Sequence, residues 1–137
     1  MPIETRPRVL ADFAGTWQLD RKIAHGDGTQ ARFQGTALWD GDDRGLDYLE
    51  TGHLQMGQGP QMQAERRYRW APDLDVYFDD GRFFHRVPAL GGRASHWCDP
   101  DTYDVTYDFG AWPCFTAVWQ VRGPKKSYKM HSFYERS

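Results

Sequence analysis

The sequence is poor in three things: cysteine, long apolar runs and an excess of charge of one sign. Two cysteines, Cys98 and Cys114, among 137 residues are too few for a disulfide framework. We expect two free thiols and a reducing, cytoplasmic compartment. No segment approaches the roughly 18 apolar residues of a membrane-spanning helix, and residues 1–10 do not resemble a signal peptide. Seventeen basic and nineteen acidic side chains give a formal net charge of −2, which argues against an extended nucleic-acid surface.

Aromatic side chains, in contrast, are abundant. Six Trp, seven Tyr and eight Phe supply 15% of the chain, and this apolar mass excludes an intrinsically disordered protein. The length of 137 residues corresponds to one domain, since globular domains contain roughly 100–200 residues. No linker, low-complexity tract or long repeat interrupts the sequence. We therefore expect a single domain over residues 1–137.

Short alternating segments, separated by turn residues about every 8–12 positions, predict an antiparallel β-meander. Only residues 8–14 carry a helical pattern. Asp80-Gly81 is a strong hairpin signal, which predicts Phe78 opposite Phe83 and Val76 opposite His85. Closing a long meander into a barrel removes both of its exposed edges. The predicted strands cover 15–25, 29–39, 46–56, 61–70, 74–79, 82–88, 94–98, 102–109, 113–122 and 127–136.

Because side chains alternate between the two faces of a strand, each hairpin carries the assignment of the inner face to the next strand. This face begins at Trp17 and stays apolar or aromatic through every connection. It also carries polar groups, and a dry core does not tolerate such groups without partners. The residues of this face that we expect to contact a ligand are Glu50, Arg66, Tyr68, His85, His96, Tyr103, Tyr107, Trp119 and Tyr134.

The first predicted strand opens with Gly15-Thr16-Trp17, and the last one ends at Arg136. A short helix before Gly-x-Trp, with an arginine of the last strand over the tryptophan, resembles the calycin superfamily of lipocalins and fatty-acid-binding proteins. The resemblance implies an all-β, calycin-like antiparallel meander barrel of about eight to ten strands with a short N-terminal helix. The Arg-x-Tyr carboxylate clamp of fatty-acid-binding proteins is reversed here to Tyr134-Glu135-Arg136, which argues against a fatty-acid role.

Longer blocks of the sequence resemble an uncharacterised bacterial family of unknown function, DUF6314. The family resemblance implies a calycin-like fold and no particular activity, so the residues themselves must indicate the chemistry. The blocks that carry it are Glu65-Arg66-Arg67-Tyr68-Arg69-Trp70, Phe78-Asp79-Asp80-Gly81-Arg82-Phe83-Phe84-His85, His96-Trp97-Cys98-Asp99-Pro100-Asp101-Thr102-Tyr103 and Gly123-Pro124-Lys125-Lys126-Ser127-Tyr128.

His85, His96 and Cys98 form the first candidate group. A symmetric hairpin between 82–88 and 94–98 would set His85 opposite His96, with Cβ atoms about 4.5–5.5 Å apart. Three roles remain open: neutral histidines hydrogen-bonded in a polar core, a titrating pair that contacts a ligand, and ligands of zinc or of haem iron as in nitrobindins. No His-x-x-x-His or Cys-x-x-Cys spacing favours a metal, so we predict no cofactor.

Glu50, Arg66, Tyr68 and Arg21 form the second candidate group on the inner face. The predicted hairpin sets Glu50 opposite Tyr68 and diagonal to Arg66. An unpaired buried charge costs several kcal/mol, so we expect Glu50 and Arg66 to pair or to face water. The alternatives are a polar anchor for a ligand carboxylate, phosphate or phenol, and acid–base catalysis by Glu50 with Tyr68 or His85.

Together these features predict a small aromatic or acidic organic molecule bound inside the barrel. Arg66 and Glu50 would orient its polar end, His85 and His96 would provide hydrogen bonds, and rings of the same face would contact its apolar body. One alternative is a small barrel enzyme that uses Glu50, Tyr68 and His85 as acid–base groups. The other is an interaction module with a filled interior. The sequence specifies neither the ligand nor the oligomeric state.

Overall fold

The structure, a computed structural model, describes residues 6–137 as one antiparallel sheet with one short helix. All ten predicted strands are present, and their ends lie within three residues of the predicted ones. No helix of the described residues is long and apolar enough to cross a membrane. The elements are α1 (Leu10–Phe13), β1 (Gly15–His25), β2 (Gln30–Asp42), β3 (Gly45–Met56), β4 (Gln61–Trp70), β5 (Asp75–Phe78), β6 (Phe83–Arg86), β7 (Gly92–Cys98), β8 (Asp101–Ala111), β9 (Cys114–Arg122) and β10 (Ser127–Arg136).

The sheet curls into a nearly closed barrel. Its strand order is β6-β5-β4-β3-β2-β1-β10-β9-β8-β7, so the first and last strands pair in the middle. β6 and β7 are the two edges, and within residues 6–137 no strand pairing joins them. They nevertheless face each other, because the rings of Phe83 and Phe84 lie 5.8 and 5.9 Å from the ring of His96. We call this junction the seam.

One pair of glycines permits a close approach of two backbones in the barrel wall. Gly35 of β2 lies opposite Gly52 of β3. A Cβ atom at Gly35 would collide with the carbonyl oxygen of Thr51, and one at Gly52 with that of Gln34. Glycine inside a strand commonly marks such a site. The strand alternation thus continues through this pair without a side chain at either position.

Aromatic rings fill the end of the barrel at which β1 begins, which we call the proximal end. Phe13 of α1 is fully buried there. Its ring lies 5.0 Å from that of Trp70 and 5.7 Å from those of Trp39 and Phe115. These tilted and edge-on contacts add to the free energy gained by burying the rings. The short helix therefore acts as an aromatic plug at this end.

Arg136 fixes the helix to the first strand. Its guanidinium carbon lies 4.2 Å from the centroid of the Trp17 ring, and its Nη1 donates to the carbonyl oxygen of Ala14 at 2.7 Å. A second nitrogen donates to the carbonyl oxygen of Asp12. The Trp17 indole donates to the carbonyl oxygen of Phe13 at 2.8 Å. This arrangement confirms the packing of Arg136 over Trp17 that the calycin resemblance implies.

The opposite end of the barrel, which we call the distal end, is less completely buried. It is formed by the turns that follow the odd-numbered strands, at 26–29, 57–60, 79–82, 99–100 and 123–126. Several inward-facing side chains are only half-buried toward this end, although Val121 and Met130 are buried. The half-buried ones are Ile23, Leu54, Ala64, Arg66, Tyr68, Phe78, Tyr103 and Tyr128.

Candidate functional site

A band of buried polar side chains crosses the middle of the barrel. Arg21 of β1 and Glu50 of β3 are only 3% and 2% exposed. The Arg21 guanidinium donates to both carboxylate oxygens, from Nη1 to Oε2 at 2.5 Å and from Nη2 to Oε1 at 3.0 Å. Its Nε donates to Ser132 Oγ, directly opposite on β10, at 2.7 Å. The bidentate pair and the hydroxyl satisfy the buried guanidinium.

Two tyrosine hydroxyls extend this band. Tyr48 donates to Glu50 Oε1 at 2.6 Å, and the hydroxyl oxygens of Tyr48 and Tyr134 are 2.9 Å apart. Burial alone would raise the pKa of Glu50, but the charge and hydrogen bonds of Arg21 hold it below its ordinary value. Burial, followed by the nearby Glu50 charge, raises the pKa of Tyr48 well above its ordinary value. Glu50 is therefore a carboxylate at neutral pH, and Tyr48 keeps its proton.

The predicted ion pair between Glu50 and Arg66 is wrong, since the partner of Glu50 is Arg21. The predicted register between β3 and β4 is also shifted by two residues. Glu50 lies opposite Arg66, and Tyr48 lies opposite Tyr68. The turn at 57–60 sets Gln55 opposite Gln61, which produces the shift. A shift of two residues preserves the inner face, so the same residues still point into the barrel.

His85 lies at the side of the polar band. Its Nε2 is 2.8 Å from the Tyr107 hydroxyl oxygen, and the side chain is 3% exposed. Burial, followed by repulsion from His96, lowers the pKa of His85 to about 3. His85 is therefore a neutral imidazole over the physiological pH range. Tyr107 also stays protonated, because burial raises its pKa well above the ordinary value.

The predicted pairing of His85 with His96 is wrong. His96 pairs instead with Tyr103 of β8, because β6 and β7 form no hairpin. The connection between them is held elsewhere: the Val87 amide donates to the Leu74 carbonyl, and the Ala89 carbonyl accepts from Arg8.

The predicted pairing of Phe78 with Phe83 is also wrong, whereas Val76 does lie opposite His85. A β-bulge between Val76 and Tyr77 puts Phe83 opposite Tyr77. Phe84 is consequently fully buried, while Phe83 is 44% exposed. The bulge adds one residue on β6, and this changes the face on which Phe83 lies.

Metal-ligating side chains do not converge in the described part of the chain. Within residues 6–137 no group of three or more His, Cys, Asp or Glu side chains is arranged to hold a metal ion. His85 and His96 lie on opposite sides of the seam, and Nε2 of His85 is bonded to Tyr107. Cys98 and Cys114 are both free thiols. The three-ligand geometry that a zinc site on His85, His96 and Cys98 would need is therefore not present among the described residues.

A second group of inward-facing residues lies toward the distal end, and we call it the distal cluster. Its Arg66 guanidinium carbon is 5.7 Å from the centroid of the Trp119 ring. No carboxylate oxygen of residues 6–137 lies within 4.0 Å of the Arg66 guanidinium. The ring of Phe84 packs against two others of this group. Its centroid lies 5.2 Å from that of the Trp119 ring and 5.4 Å from that of the Tyr103 ring. The distal cluster comprises Arg66, Tyr68, Phe84, Tyr103, Trp119 and Tyr128.

The hydroxyls of Tyr68 and Tyr128 in the distal cluster remain protonated at neutral pH. Burial raises the pKa of Tyr68 to about 12, although the nearby Arg66 charge acts in the opposite direction. Burial also raises the pKa of Tyr128, again against the influence of Arg66. Both hydroxyls can therefore donate hydrogen bonds beside a fixed positive charge.

A cavity between the polar band and the distal cluster encloses about 20 Å³, and we call it the inner cavity. This volume accommodates about one water molecule and is far below the roughly 300–1,000 Å³ of pockets for organic ligands. The inner cavity is lined by Arg21, Trp39, Tyr48, Glu50, Tyr68, Trp70, Val76, Phe84, His85, Tyr107, Phe115, Ala117, Trp119 and Tyr134.

A much larger depression lies on the outer surface instead. It encloses about 970 Å³ over β1, β2, β9 and β10 and is bordered by outward-facing residues such as Asp20, Phe133 and Glu135. Asp20 is already paired with Arg32 at 2.8 Å, and both side chains are exposed. The depression lacks convergent buried polar groups, which are typical of specific ligand sites. We therefore place the candidate site inside the barrel.

The structure divides the predicted site residues into four sets. Glu50 and Tyr134 belong to the polar band, and His85 and Tyr107 form a bonded pair beside it. His96 lies at the seam. The sequence prediction omitted Ser132 and Trp39 as site residues. Four of the predicted site residues belong to the distal cluster: Arg66, Tyr68, Tyr103 and Trp119.

The fold is similar to that of a protein of known structure, the S-type phycobiliprotein lyase CPES from Guillardia theta. The TM-score is 0.64 at 7% sequence identity, over 93% of this chain and 90% of the lyase chain. At this identity the similarity concerns the fold, and it confirms the predicted all-β, calycin-like barrel. No curated protein sequence matches the chain. Residues 13–136 match the family of unknown function DUF6314, as the sequence blocks predict, and the chain belongs to that family.

Proposed function

We propose that the protein binds a small organic molecule with an acidic group at the distal end of its barrel. The observation that carries the proposal is the contrast between two inward-facing arginines. Arg21 has a buried carboxylate partner, Glu50. Arg66 is half-buried among aromatic rings, and no carboxylate of the described residues lies within 4.0 Å of it. A half-buried cation needs a partner or water, and a guanidinium binds carboxylate or sulfonate groups through a planar pair of donors.

The surroundings of Arg66 favour an aromatic body for this ligand. The ring of Trp119 lies beside the guanidinium, and the half-buried ring of Tyr103 lies 6.4 Å from that of Trp119. Rings of a ligand can stack on such side chains at offset or edge-on angles. The protonated hydroxyls of Tyr68 and Tyr128 can donate further hydrogen bonds to its polar end.

The other predicted site residues have a supporting role in this proposal. Glu50, His85, Tyr107 and Tyr134 lie deeper in the barrel, where their polar atoms contact one another or Arg21. The inner cavity between them and the distal cluster holds about one water molecule, so an organic ligand does not fit beside them. We infer that they hold the floor of the site and do not contact the ligand.

The acid–base alternative has weaker support. Both oxygens of Glu50 accept hydrogen bonds from Arg21, and Oε1 also accepts one from Tyr48. An ionised carboxylate that accepts three hydrogen bonds is poorly suited to exchanging protons with a substrate. The fold shared with a phycobiliprotein lyase is compatible with a small-molecule role and does not indicate which molecule this protein binds.

Two fluorescent probes of similar size can test the proposal. 8-Anilinonaphthalene-1-sulfonate carries a sulfonate, and N-phenyl-1-naphthylamine has the same two ring systems without it. We expect the Arg66→Gln variant to bind the sulfonate about 10–100-fold more weakly than the unchanged protein, since a hydrogen bond to a charged group contributes about 1.5–3 kcal/mol. Binding of the neutral probe should change by less than about threefold.

Arg67→Gln provides the matched control, because Arg67 is the next residue on β4 and faces outward. Its binding of both probes should equal that of the unchanged protein. Circular dichroism must show that all three proteins are folded. The proposal is wrong if the unchanged protein does not bind the sulfonate, or if Arg66→Gln and Arg67→Gln bind it equally well.

A further inference from the structure

Two buried polar atoms of the inner cavity have no hydrogen-bond partner among residues 6–137. They are Nε1 of Trp39 and Nδ1 of His85. Both side chains line the inner cavity, and they are 2% and 3% exposed. Native interiors rarely leave such groups unpaired, because desolvation without a new hydrogen bond is unfavourable.

We propose that the inner cavity is a specific binding site for one water molecule, held by Trp39 Nε1 and His85 Nδ1. The enclosed volume of about 20 Å³ exceeds the roughly 10–15 Å³ that a water molecule requires, and it excludes an organic molecule. The indole N–H is only a donor, so the bound molecule must offer an acceptor. An apolar gas of the same size does not meet this requirement, whereas a water oxygen does.

The second contact of the water is with a neutral imidazole. Nε2 of His85 already interacts with the Tyr107 hydroxyl at 2.8 Å, which leaves Nδ1 for the cavity. If Tyr107 donates to Nε2, Nδ1 carries the proton and donates to the water. If Nε2 donates to Tyr107, Nδ1 accepts from the water. Water can form a hydrogen bond with either tautomer of His85, because it is both a donor and an acceptor.

Tyr134 is a third partner for the water. This follows from the directions of the hydrogen bonds in the polar band. The Glu50 carboxylate can only accept, so the Tyr48 proton points to Glu50. In the contact between Tyr48 and Tyr134, the Tyr134 hydroxyl must then be the donor. Tyr134 also lines the inner cavity, and its hydroxyl oxygen, which has two lone pairs, can accept from the water as well as from Arg21. Buried water typically makes about three such hydrogen bonds.

This site is separate from the proposed ligand site. Tyr68, Phe84 and Trp119 lie between them, because they line the inner cavity and also belong to the distal cluster. The water site depends on Trp39 and His85 and does not require that the protein binds an organic ligand. It should therefore persist in the Arg66→Gln variant.

Nuclear magnetic resonance of the ¹⁵N-labelled protein can detect the bound water through the indole protons. The Trp39 Nε1 proton should show a cross-peak at the water frequency whose sign is opposite in the laboratory and rotating frames, as a long-lived neighbouring water produces. Trp17 is the internal control, because its equally buried indole donates to the Phe13 carbonyl oxygen at 2.8 Å. Its indole proton should show no such cross-peak. A Trp39→Phe variant assigns the signal.

A high-resolution crystal structure distinguishes water from tyrosine hydroxyl protons that exchange with solvent. We expect density for one ordered water within hydrogen-bond distance of Trp39 Nε1 and His85 Nδ1. The proposal is overturned if the Trp39 indole proton lacks the cross-peak. It is also overturned if the cross-peak is present but the inner cavity shows no density for a water molecule.

Discussion

Replacement of Glu50 by Gln tests whether the polar band stabilises the barrel through its charge. Gln has nearly the same shape as Glu but no negative charge, so the Arg21 guanidinium would remain buried without a counter-ion. The amide oxygen can still accept hydrogen bonds from Arg21 and Tyr48, but the NH₂ group cannot replace the second acceptor oxygen of the carboxylate. The substitution therefore separates the effect of charge from that of packing.

The expected loss of stability is large for a protein of this size. Removing one partner of a buried ion pair costs about 3–5 kcal/mol, out of a total free energy of unfolding of about 5–15 kcal/mol. An unfolding entropy of about 2.1 cal/mol/K per residue corresponds to about 0.29 kcal/mol/K for 137 residues. The melting temperature of Glu50→Gln should therefore fall by about 10–17 °C.

Thermal and urea unfolding followed by circular dichroism at pH 7 measure this loss. The control is Asp20→Asn, which breaks the exposed pair with Arg32 and should cost about 1 kcal/mol or less. A double variant, Arg21→Met with Glu50→Leu, should recover most of the loss, because an apolar pair of similar volume replaces a buried ion pair well. Equal melting temperatures for Glu50→Gln and Asp20→Asn would refute the reasoning.

The same pair gives a pH dependence with a definite sign. Because the folded protein holds the pKa of Glu50 below its ordinary value, the ion pair contributes fully above the unfolded pKa of about 4.3. The contribution is lost as the pH falls through the lower, folded pKa. The difference in stability between the unchanged protein and Glu50→Gln should therefore shrink below about pH 4.

Two further substitutions test other parts of the structure. Gly52→Ala introduces a Cβ against the carbonyl oxygen of Gln34, so its urea midpoint should indicate a loss of about 1–3 kcal/mol, whereas Gly59→Ala in the turn should cost less. Equal losses would contradict the close approach. His85 has a pKa of about 3 in the folded protein and about 6.5 when unfolded, so its contribution to stability should fall by about 1.4 kcal/mol per pH unit between about pH 6 and pH 4. Urea unfolding of His85→Phe should lack this part of the slope, and an identical slope would show that His85 is not held neutral.

Strand positions and inner faces could be predicted from the sequence because side chains in a strand alternate with a period of two residues. Turn residues such as Asp80-Gly81 mark where each strand ends. All ten strands follow from these two signals. Trp17, Glu50 and Tyr107 lie inside as expected, because an error of two residues in register leaves the alternation unchanged.

Contacts between particular side chains were harder to predict, for two physical reasons. Hairpin register depends on the geometry of the turn, so a turn at 57–60 changed the residue opposite Glu50. Contacts across the interior depend on the curvature of the whole sheet, and Arg21 reaches Glu50 although the two lie on strands separated by β2. The alternation of side chains along one strand determines neither the geometry of the turn nor the curvature of the sheet.

The bulge at Val76 and Tyr77 changed the alternation itself, since an extra residue on β6 reversed the position of Phe83. The absent hairpin between β6 and β7 has a similar local origin. The connection contains a turn at 88–91, but it is also bonded to Leu74 and Arg8, and the two strands do not pair. The pairing of His85 with His96 was predicted on the assumption of a regular hairpin, and this assumption failed at the seam.

The different partners of the two inward arginines imply that stability and binding can be changed separately. Arg21 belongs to a closed set of hydrogen bonds, so substituting it should destabilise the fold whether or not a ligand is present. Arg66 lacks a carboxylate partner among the described residues and lies toward the half-buried end, so the folded barrel depends on it less. An Arg66→Gln variant that melts as low as Glu50→Gln would place Arg66 in the structural network. A variant that keeps its melting temperature but loses the anionic probe would identify Arg66 as the binding residue.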